Sequence, residues 1–123
     1  MSTLKSMVCT TLFLALSLPA YAASCSFDAY IEDDDLYSSK GVKLSTVGQI
    51  IRQDRANFYA AAAGTGDSPD YCGFDKAHNR EALQKIIDKS KISKATQNRI
   101  KRGNVNVTVN IINGRTAQVI TYD

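Results

Sequence analysis

The chain has 123 residues, of which 44% are hydrophobic and 22% are charged, and its formal net charge is +3 at pH 7. This apolar content is too high for a disordered chain, and the length suits one domain rather than several. No apolar run approaches the roughly 20 residues that a membrane-spanning helix needs, so we expect no transmembrane segment in the mature chain.

The first residues have the pattern of a secretory signal peptide. A basic residue, Lys5, precedes an apolar run from Met7 to Leu18 and the small-residue sequence Ala20-Tyr21-Ala22. This order predicts a signal peptide over residues 1–22, cleaved near Ala22, and a mature domain over residues 23–123. We therefore expect a periplasmic or secreted protein.

Three cysteines are present, and Cys9 falls inside the predicted signal peptide. In an exported chain the remaining pair, Cys25 and Cys72, most simply forms one disulfide. It would close a loop of about 48 residues and contribute roughly 4 kcal/mol to stability. The alternative is a lipoprotein with Cys25 lipidated and Cys72 free, but Ala22 replaces the large aliphatic residue expected three positions before a lipidated cysteine.

The first half of the mature chain predicts a strand, a helix and a loop. Alternating apolar residues indicate a strand from Cys25 to Ile31. Thr46 followed by Gln49 is a capping-box pattern, so we expect a first helix from Thr46 to about Ala63. Gly, Pro, Asp and Ser are dense from Gly64 to Asp75, which is typical of a loop.

Two shorter helices are predicted next. Asp75 is placed to cap a second helix, which should fade near Ser90. Ser93 is placed to cap a third helix from Lys94 to Arg102, and Gly103 suits a left-handed stop.

The C-terminal residues have the clearest pattern in the chain. Val and Ile alternate with polar residues from Val105 to Ile111, and Asn113-Gly114 is a strong hairpin turn signal. A two-residue turn pairs Ile112 with Arg115. On the buried side, this register pairs Val107 with Ile120 and Val105 with Tyr122. We expect an α+β domain: a small antiparallel sheet, formed by this hairpin and the N-terminal strand, packed against two or three helices.

An acidic residue interrupts the apolar face of the first helix. At 100° per residue, Asp54 lies near the centre of the arc that holds Ile50, Ile51 and Phe58. A buried carboxylate needs a partner. The structural interpretation gives it backbone amides of the following loop or an arginine, and Arg80, Arg99 and Arg102 are preferred because Arg55 projects about 100° away. The catalytic interpretation makes Asp54 a general base in a cleft.

The same helical wheel places Arg52, Arg55 and Tyr59 together on one flank. Two guanidinium groups beside an aromatic ring are typical of surfaces that bind carboxylates, phosphates or a protein. The plainer interpretation is a solvated face.

Other candidates for chemistry are sparse. The single histidine, His78, favours a surface position at the start of the second helix. The acidic segment from Glu32 to Asp35 lacks the spacing of a calcium loop and favours a solvated loop. We therefore predict no metal site and no cofactor.

The predicted second and third helices are strongly basic from Lys76 to Arg102. Nucleic acid is an unexpected partner for an exported protein, and the aromatic residues of single-strand binders are missing there. An anionic envelope polymer is a partner compatible with this face.

The sequence favours a non-enzymatic, exported binding module, of the inhibitor or immunity type, that contacts a protein in the envelope or outside the cell. Arg52, Arg55 and Tyr59 are its candidate contact residues, with the loop from Gly64 to Asp75, and Asp54, Cys25 and Cys72 are structural. Two alternatives are a small hydrolase or lyase that uses Asp54 with His78 or Tyr59, and a basic-face adaptor for anionic envelope polymers.

Overall fold

The computed structural model describes residues 24–61 and 70–122. The predicted signal peptide and residues 64–69 of the predicted loop lie outside this part of the chain. The described elements are β1 (Cys25–Ile31), a short 3-10 helix (Asp33–Leu36), α1 (Val47–Ala61), α2 (Ala77–Asp88), α3 (Lys94–Arg102), β2 (Val105–Ile112) and β3 (Thr116–Tyr122). None of the helices in these residues is long and apolar enough to cross a bilayer.

The three strands form one antiparallel sheet in the order β1-β2-β3. Every second residue of each strand faces the core, so Phe27 on β1 pairs with Val109 on β2, and Val109 pairs with Val119 on β3. All three side chains are buried. The opposite face of the sheet carries mostly polar residues, as expected when helices cover only one side, together with the exposed side chains of Ile112, Ile120 and Tyr122. The predicted α+β fold and the strand from Cys25 to Ile31 are confirmed.

The predicted register of the hairpin is wrong by one residue. Asn113 and Gly114 adopt the expected positive φ values of 54° and 63°, and the amide of Arg115 donates to the carbonyl oxygen of Ile112. Arg115 is nevertheless an extra loop residue, because Ile112 pairs with Thr116. A shift of one residue exchanges the two faces of a strand.

The face exchange changes which residues of β3 enter the core. Ala117 and Val119 are buried, whereas Ile120 and Tyr122, which were predicted to be buried, are 43% and 47% exposed.

The capping box predicted at the start of α1 is confirmed. The amide of Gln49 donates to Oγ1 of Thr46, and Oε1 of Gln49 accepts from the amide of Thr46. At Gly48 the helix comes so close to α2 that a Cβ atom would overlap the Asp88 carboxylate and lie 2.7 Å from the carbonyl oxygen of Gln84. This close approach fixes the first turn of α1 against the last turn of α2, at the end of the helix pair that lies away from the loop that joins them.

The start of α2 differs from the prediction by one position. The N-cap is Lys76 rather than Asp75, and it makes no side-chain cap hydrogen bond. The carbonyl oxygen of Lys76 accepts from the amide of Arg80, so the first helical hydrogen bond begins there. In α3, by contrast, Ser93 caps the amide of Thr96 as predicted. Gly103 ends that helix with a φ of 75°.

Candidate functional site

The acidic residue in the middle of α1 forms an ion pair with its own neighbour. Oδ2 of Asp54 accepts from Nε of Arg55 at 2.9 Å, and the two side chains are 1% and 0% exposed. The wheel correctly predicts the burial of Asp54, but the preference for Arg80, Arg99 or Arg102 as its ion partner is wrong. Arg80 donates to the carbonyl oxygen of Phe74, and Arg99 donates to those of Gly103 and Asn104.

Arg55 also reaches across to the loop that follows α1. Its Nη1 atom lies 3.2 Å from Oδ2 of Asp70, whose side chain is fully buried. The arginine therefore contacts two carboxylates, Asp54 on its own helix and Asp70 on the loop. Such a buried group is stable only when each charge is paired and hydrogen-bonded.

Asp70 meets this requirement by accepting hydrogen bonds from side chains of α1 and from backbone amides of the loop. Its Oδ1 atom accepts from the backbone amides of Cys72 and Phe74, each at 3.2 Å. Its Oδ2 atom accepts from the hydroxyl of Tyr59 at 2.6 Å, in addition to Arg55. One carboxylate thus joins α1 to the loop backbone at Cys72 and Phe74.

The guanidinium group of Arg55 is enclosed by aromatic rings. Its Cζ atom lies 4.6 Å from the ring centroid of Phe27 on β1 and 4.7 Å from that of Phe58 on α1. Cation–π attraction is worth roughly 2 kcal/mol when the groups are desolvated. These rings explain how a residue predicted for a solvated flank is accommodated at zero exposure.

Tyr59 is half-buried beside the same carboxylate. Burial, followed by the hydrogen bond to the Asp70 side chain, raises the pKa of Tyr59 from 10.0 to about 12. The phenol is therefore protonated at neutral pH and acts as a hydrogen-bond donor to Asp70. We call Asp54, Arg55, Tyr59 and Asp70 the buried cluster.

The predicted disulfide is present and anchors the loop from its other side. Cys25 on β1 is bonded to Cys72, with a Cα–Cα distance of 5.9 Å. The first turn of α2 adds two further bonds to this loop: Asn79 donates to the carbonyl oxygen of Gly73 at 2.8 Å, and Arg80 donates to that of Phe74 at 2.9 Å.

Between these anchors, one side chain projects into solvent. Tyr71 is 99% exposed, while its neighbours Asp70 and Cys72 are 9% and 2% exposed. A fully exposed aromatic residue on a loop fixed at both flanking positions has the composition and rigidity of a binding contact.

The proposed contact flank of α1 is not one surface. Arg55 is inside the protein, Tyr59 is turned toward Asp70, and Arg52 is half-buried with its Nη1 atom donating to Gln84 at 2.9 Å. The prediction that Arg55 lies on a solvated flank is therefore wrong, because its long side chain folds back between two rings. Arg52 remains accessible from outside.

The remaining predicted candidates lie apart from the buried cluster. His78 is exposed in the first turn of α2. Of the acidic segment, Asp35 is not solvated as predicted, since it is 3% exposed and accepts from the Asn57 side chain at 2.8 Å. Among residues 24–61 and 70–122, no group of three or more His, Cys, Asp or Glu side chains is placed to hold a metal ion.

Sequence patterns missed the residues that organise this region. Asp70 is one of several polar residues in a loop, and nothing in its spacing distinguishes it from Asp67 or Asp75. The position of Tyr71 could have been noticed in the sequence, because an aromatic residue directly before a disulfide cysteine lies on a constrained backbone.

Comparisons of this chain with protein-family models, with curated protein sequences and with solved structures found no match. The class that the structure defines is a small α+β domain with one disulfide.

Proposed function

We propose that the chain is an exported, non-enzymatic binding module that recognises another protein in the cell envelope or outside the cell. The observation that carries the proposal is the exposure of Tyr71 between two anchored positions, Asp70 and Cys72. Export rests on the signal-peptide pattern of residues 1–22.

Tyrosine is enriched among the residues that dominate binding energy at protein interfaces. Holding such a residue in place before binding reduces the conformational entropy that association costs. In this chain the buried cluster and the disulfide supply that rigidity. Arg55 and Tyr59, which the sequence suggested as contacts, act in this proposal as the support of the contact loop.

The proposal is tested by comparing the proteins captured from an envelope extract by immobilised wild type and by Tyr71→Ala. The matched control is Tyr37→Ala, which removes another exposed tyrosine, 42% exposed, from a different part of the surface. Captured proteins are identified by mass spectrometry, and the affinity of the leading partner is then measured with purified components. Loss of a dominant contact lowers affinity about thirtyfold.

We expect the partner to be retained by Tyr37→Ala and lost by Tyr71→Ala, with both variants showing wild-type circular dichroism. Equal affinity of the purified partner for wild type and Tyr71→Ala would overturn the assignment of this loop. A third variant, Cys25→Ser/Cys72→Ser, keeps Tyr71 but removes one anchor, so we expect intermediate affinity from it.

A further inference from the structure

A groove of about 260 Å³ opens between α1, α2 and the segment that precedes α1. Its lining consists of one arginine, three glutamines, a serine and a leucine: Arg52, Gln49, Gln53, Gln84, Ser38 and Leu44. No acidic side chain lines it. The positive charge of Arg52 is therefore the single formal charge among the lining residues.

Arg52 is held in the groove by a neutral partner. Its Nη1 atom donates to Oε1 of Gln84 at 2.9 Å, and the amide nitrogen of Gln84 lies 3.4 Å from Oδ2 of Asp88. The Asp88 carboxylate thus orients the glutamine, and the glutamine orients the arginine. Within residues 24–61 and 70–122, no carboxylate forms an ion pair with Arg52.

A guanidinium group carries five N–H donors, arranged so that two of them match the oxygens of one carboxylate. One hydrogen bond to Gln84 leaves most of these donors without a protein acceptor in the described residues. Arg55, four-fifths of a helical turn away, is the opposite case, because its guanidinium contacts two carboxylates. Arg52 joins α1 to α2 through Gln84, and its charge lies in the lining of the groove without a carboxylate partner among the described residues.

The glutamines beside Arg52 are oriented as well. Gln53 donates its amide nitrogen to Asn57 at 2.9 Å, which leaves its carbonyl oxygen as an acceptor. Gln49 accepts at its oxygen from the amides of Ser45 and Thr46, which leaves its nitrogen as a donor. Leu44 supplies an apolar surface. The Arg52 guanidinium and the Gln49 nitrogen can donate to a peptide carboxylate, and the Gln53 oxygen can accept from a neighbouring peptide N–H group.

We propose that this groove binds one carboxylate-bearing residue of a peptide segment, with Arg52 as the bidentate partner of the carboxylate. Pockets for whole small-molecule ligands measure roughly 300 to 1,000 Å³. A groove of about 260 Å³ therefore suits a single residue, which is either the C-terminal residue or an internal Asp or Glu. The site is distinct from the Tyr71 loop, and its ligand binds whether or not that loop contacts a protein.

The test uses three short peptides and the oxidised mature domain labelled with ¹⁵N. Acetyl-trialanine with a free C-terminus offers a terminal carboxylate, and acetyl-Ala-Glu-Ala-amide offers a side-chain carboxylate. Acetyl-trialanine-amide carries neither. Nuclear magnetic resonance follows the Nε–H signal of Arg52 and the side-chain amide signals of Gln49, Gln53 and Gln84 during each titration.

We expect saturable shifts of these signals with at least one carboxylate peptide and none with the amide peptide. Either carboxylate peptide alone supports the proposal and identifies the source of the carboxylate. Arg52→Gln should weaken binding about tenfold or more, since a charge-assisted bidentate contact is lost. The affinity of Arg52→Lys should fall between those of the wild type and Arg52→Gln, because an ammonium group keeps the charge but lacks the planar arrangement of donors.

The matched control is Arg115→Gln, which removes the same charge from an exposed position in the hairpin loop. It should bind as the wild type does. Equal shifts with the amide peptide, or equal affinity of the wild type and Arg52→Gln for the carboxylate peptides, would overturn the proposal. Because these measurements use no protein partner, failure of the Tyr71 experiment leaves them unaffected, and the reverse also holds.

Discussion

The Nη1 atom of Arg55 lies 3.2 Å from Oδ2 of Asp70, and this ion pair joins the middle of α1 to the loop that precedes α2. The same arginine pairs with Asp54 through Nε at 2.9 Å. A single side chain therefore compensates two buried carboxylates. Its removal leaves charges inside the protein that no longer have this partner.

Arg55→Met is the first test of that dependence. Methionine keeps the aliphatic length between Phe27 and Phe58 but leaves Asp54 and Asp70 without the guanidinium. We expect the free energy of unfolding in urea at pH 7 to fall by about 3 to 5 kcal/mol. A loss below about 1 kcal/mol would show that the ion pairs do not hold the loop.

The two substitutions of Asp54 separate charge from hydrogen bonding. Asp54→Ala removes the acceptor of the Arg55 Nε–H group, so we expect a loss of about 3 kcal/mol from the buried arginine left with one carboxylate fewer. Asp54→Asn keeps an oxygen that can accept the same bond and should cost less. Urea unfolding measures both, and a larger loss for Asn than for Ala would contradict this explanation.

The raised pKa of Tyr59 predicts a pH dependence of stability. In the unfolded chain a tyrosine releases its proton near pH 10.0, whereas Tyr59 in the folded state holds its proton until about pH 12. Its contribution to stability is complete below pH 10.0 and is lost as the pH rises toward 12. The unfolding free energy of the wild type should therefore fall more steeply above pH 10 than that of Tyr59→Phe.

This slope is measured by urea unfolding at several pH values from about 9 to about 11, where the unfolded tyrosine begins to ionise. Parallel curves for the wild type and Tyr59→Phe would mean that Asp70 and burial do not retain the proton. The difference between their tyrosinate absorbance titrations gives an independent reading of the same pKa.

Val119 and Ile120 test the register of the hairpin. Val119 is 8% exposed and Ile120 is 43% exposed. Val119→Ala removes two buried methyl groups and should cost about 2 kcal/mol, whereas Ile120→Ala should change stability by about 0.5 kcal/mol or less. Thermal or urea unfolding of the two variants decides the register, because the sequence-based pairing predicts the reverse order.

The sequence predicted the elements better than their exact alignment. Asn113-Gly114 identified a tight turn, and the turn is there, but no local pattern revealed that Arg115 would be added to it. The alternation from Val105 to Ile111 correctly predicts which residues of β2 are buried. Pairing β3 with it through a two-residue turn gives the wrong buried residues for β3. Turn type is a local property, whereas a bulge is decided by which face of the following strand packs better against the helices.

The candidate site was harder to predict, for a reason of side-chain length. A helical wheel gives the direction of the Cα–Cβ bond, and on that basis Arg55 points away from the core. The guanidinium is several bonds further on and turns back between Phe27 and Phe58. Its second carboxylate, Asp70, is 15 residues away in sequence, so no helical periodicity relates the two.

The hydrogen bond between Asp70 and the amide of Cys72 has a consequence for thiol chemistry. The buried cluster ties the Cys72 backbone to α1, and Arg55 lies over Phe27 on β1, so we expect the two thiols of the reduced chain to stay close together, at a high effective concentration. The formation of the contacts and the formation of the disulfide are thermodynamically coupled. Contacts that favour oxidation are therefore stabilised by the disulfide, and they make the disulfide harder to reduce. We therefore expect Arg55, through its ion pair with Asp70, to contribute to the resistance of this disulfide to reduction.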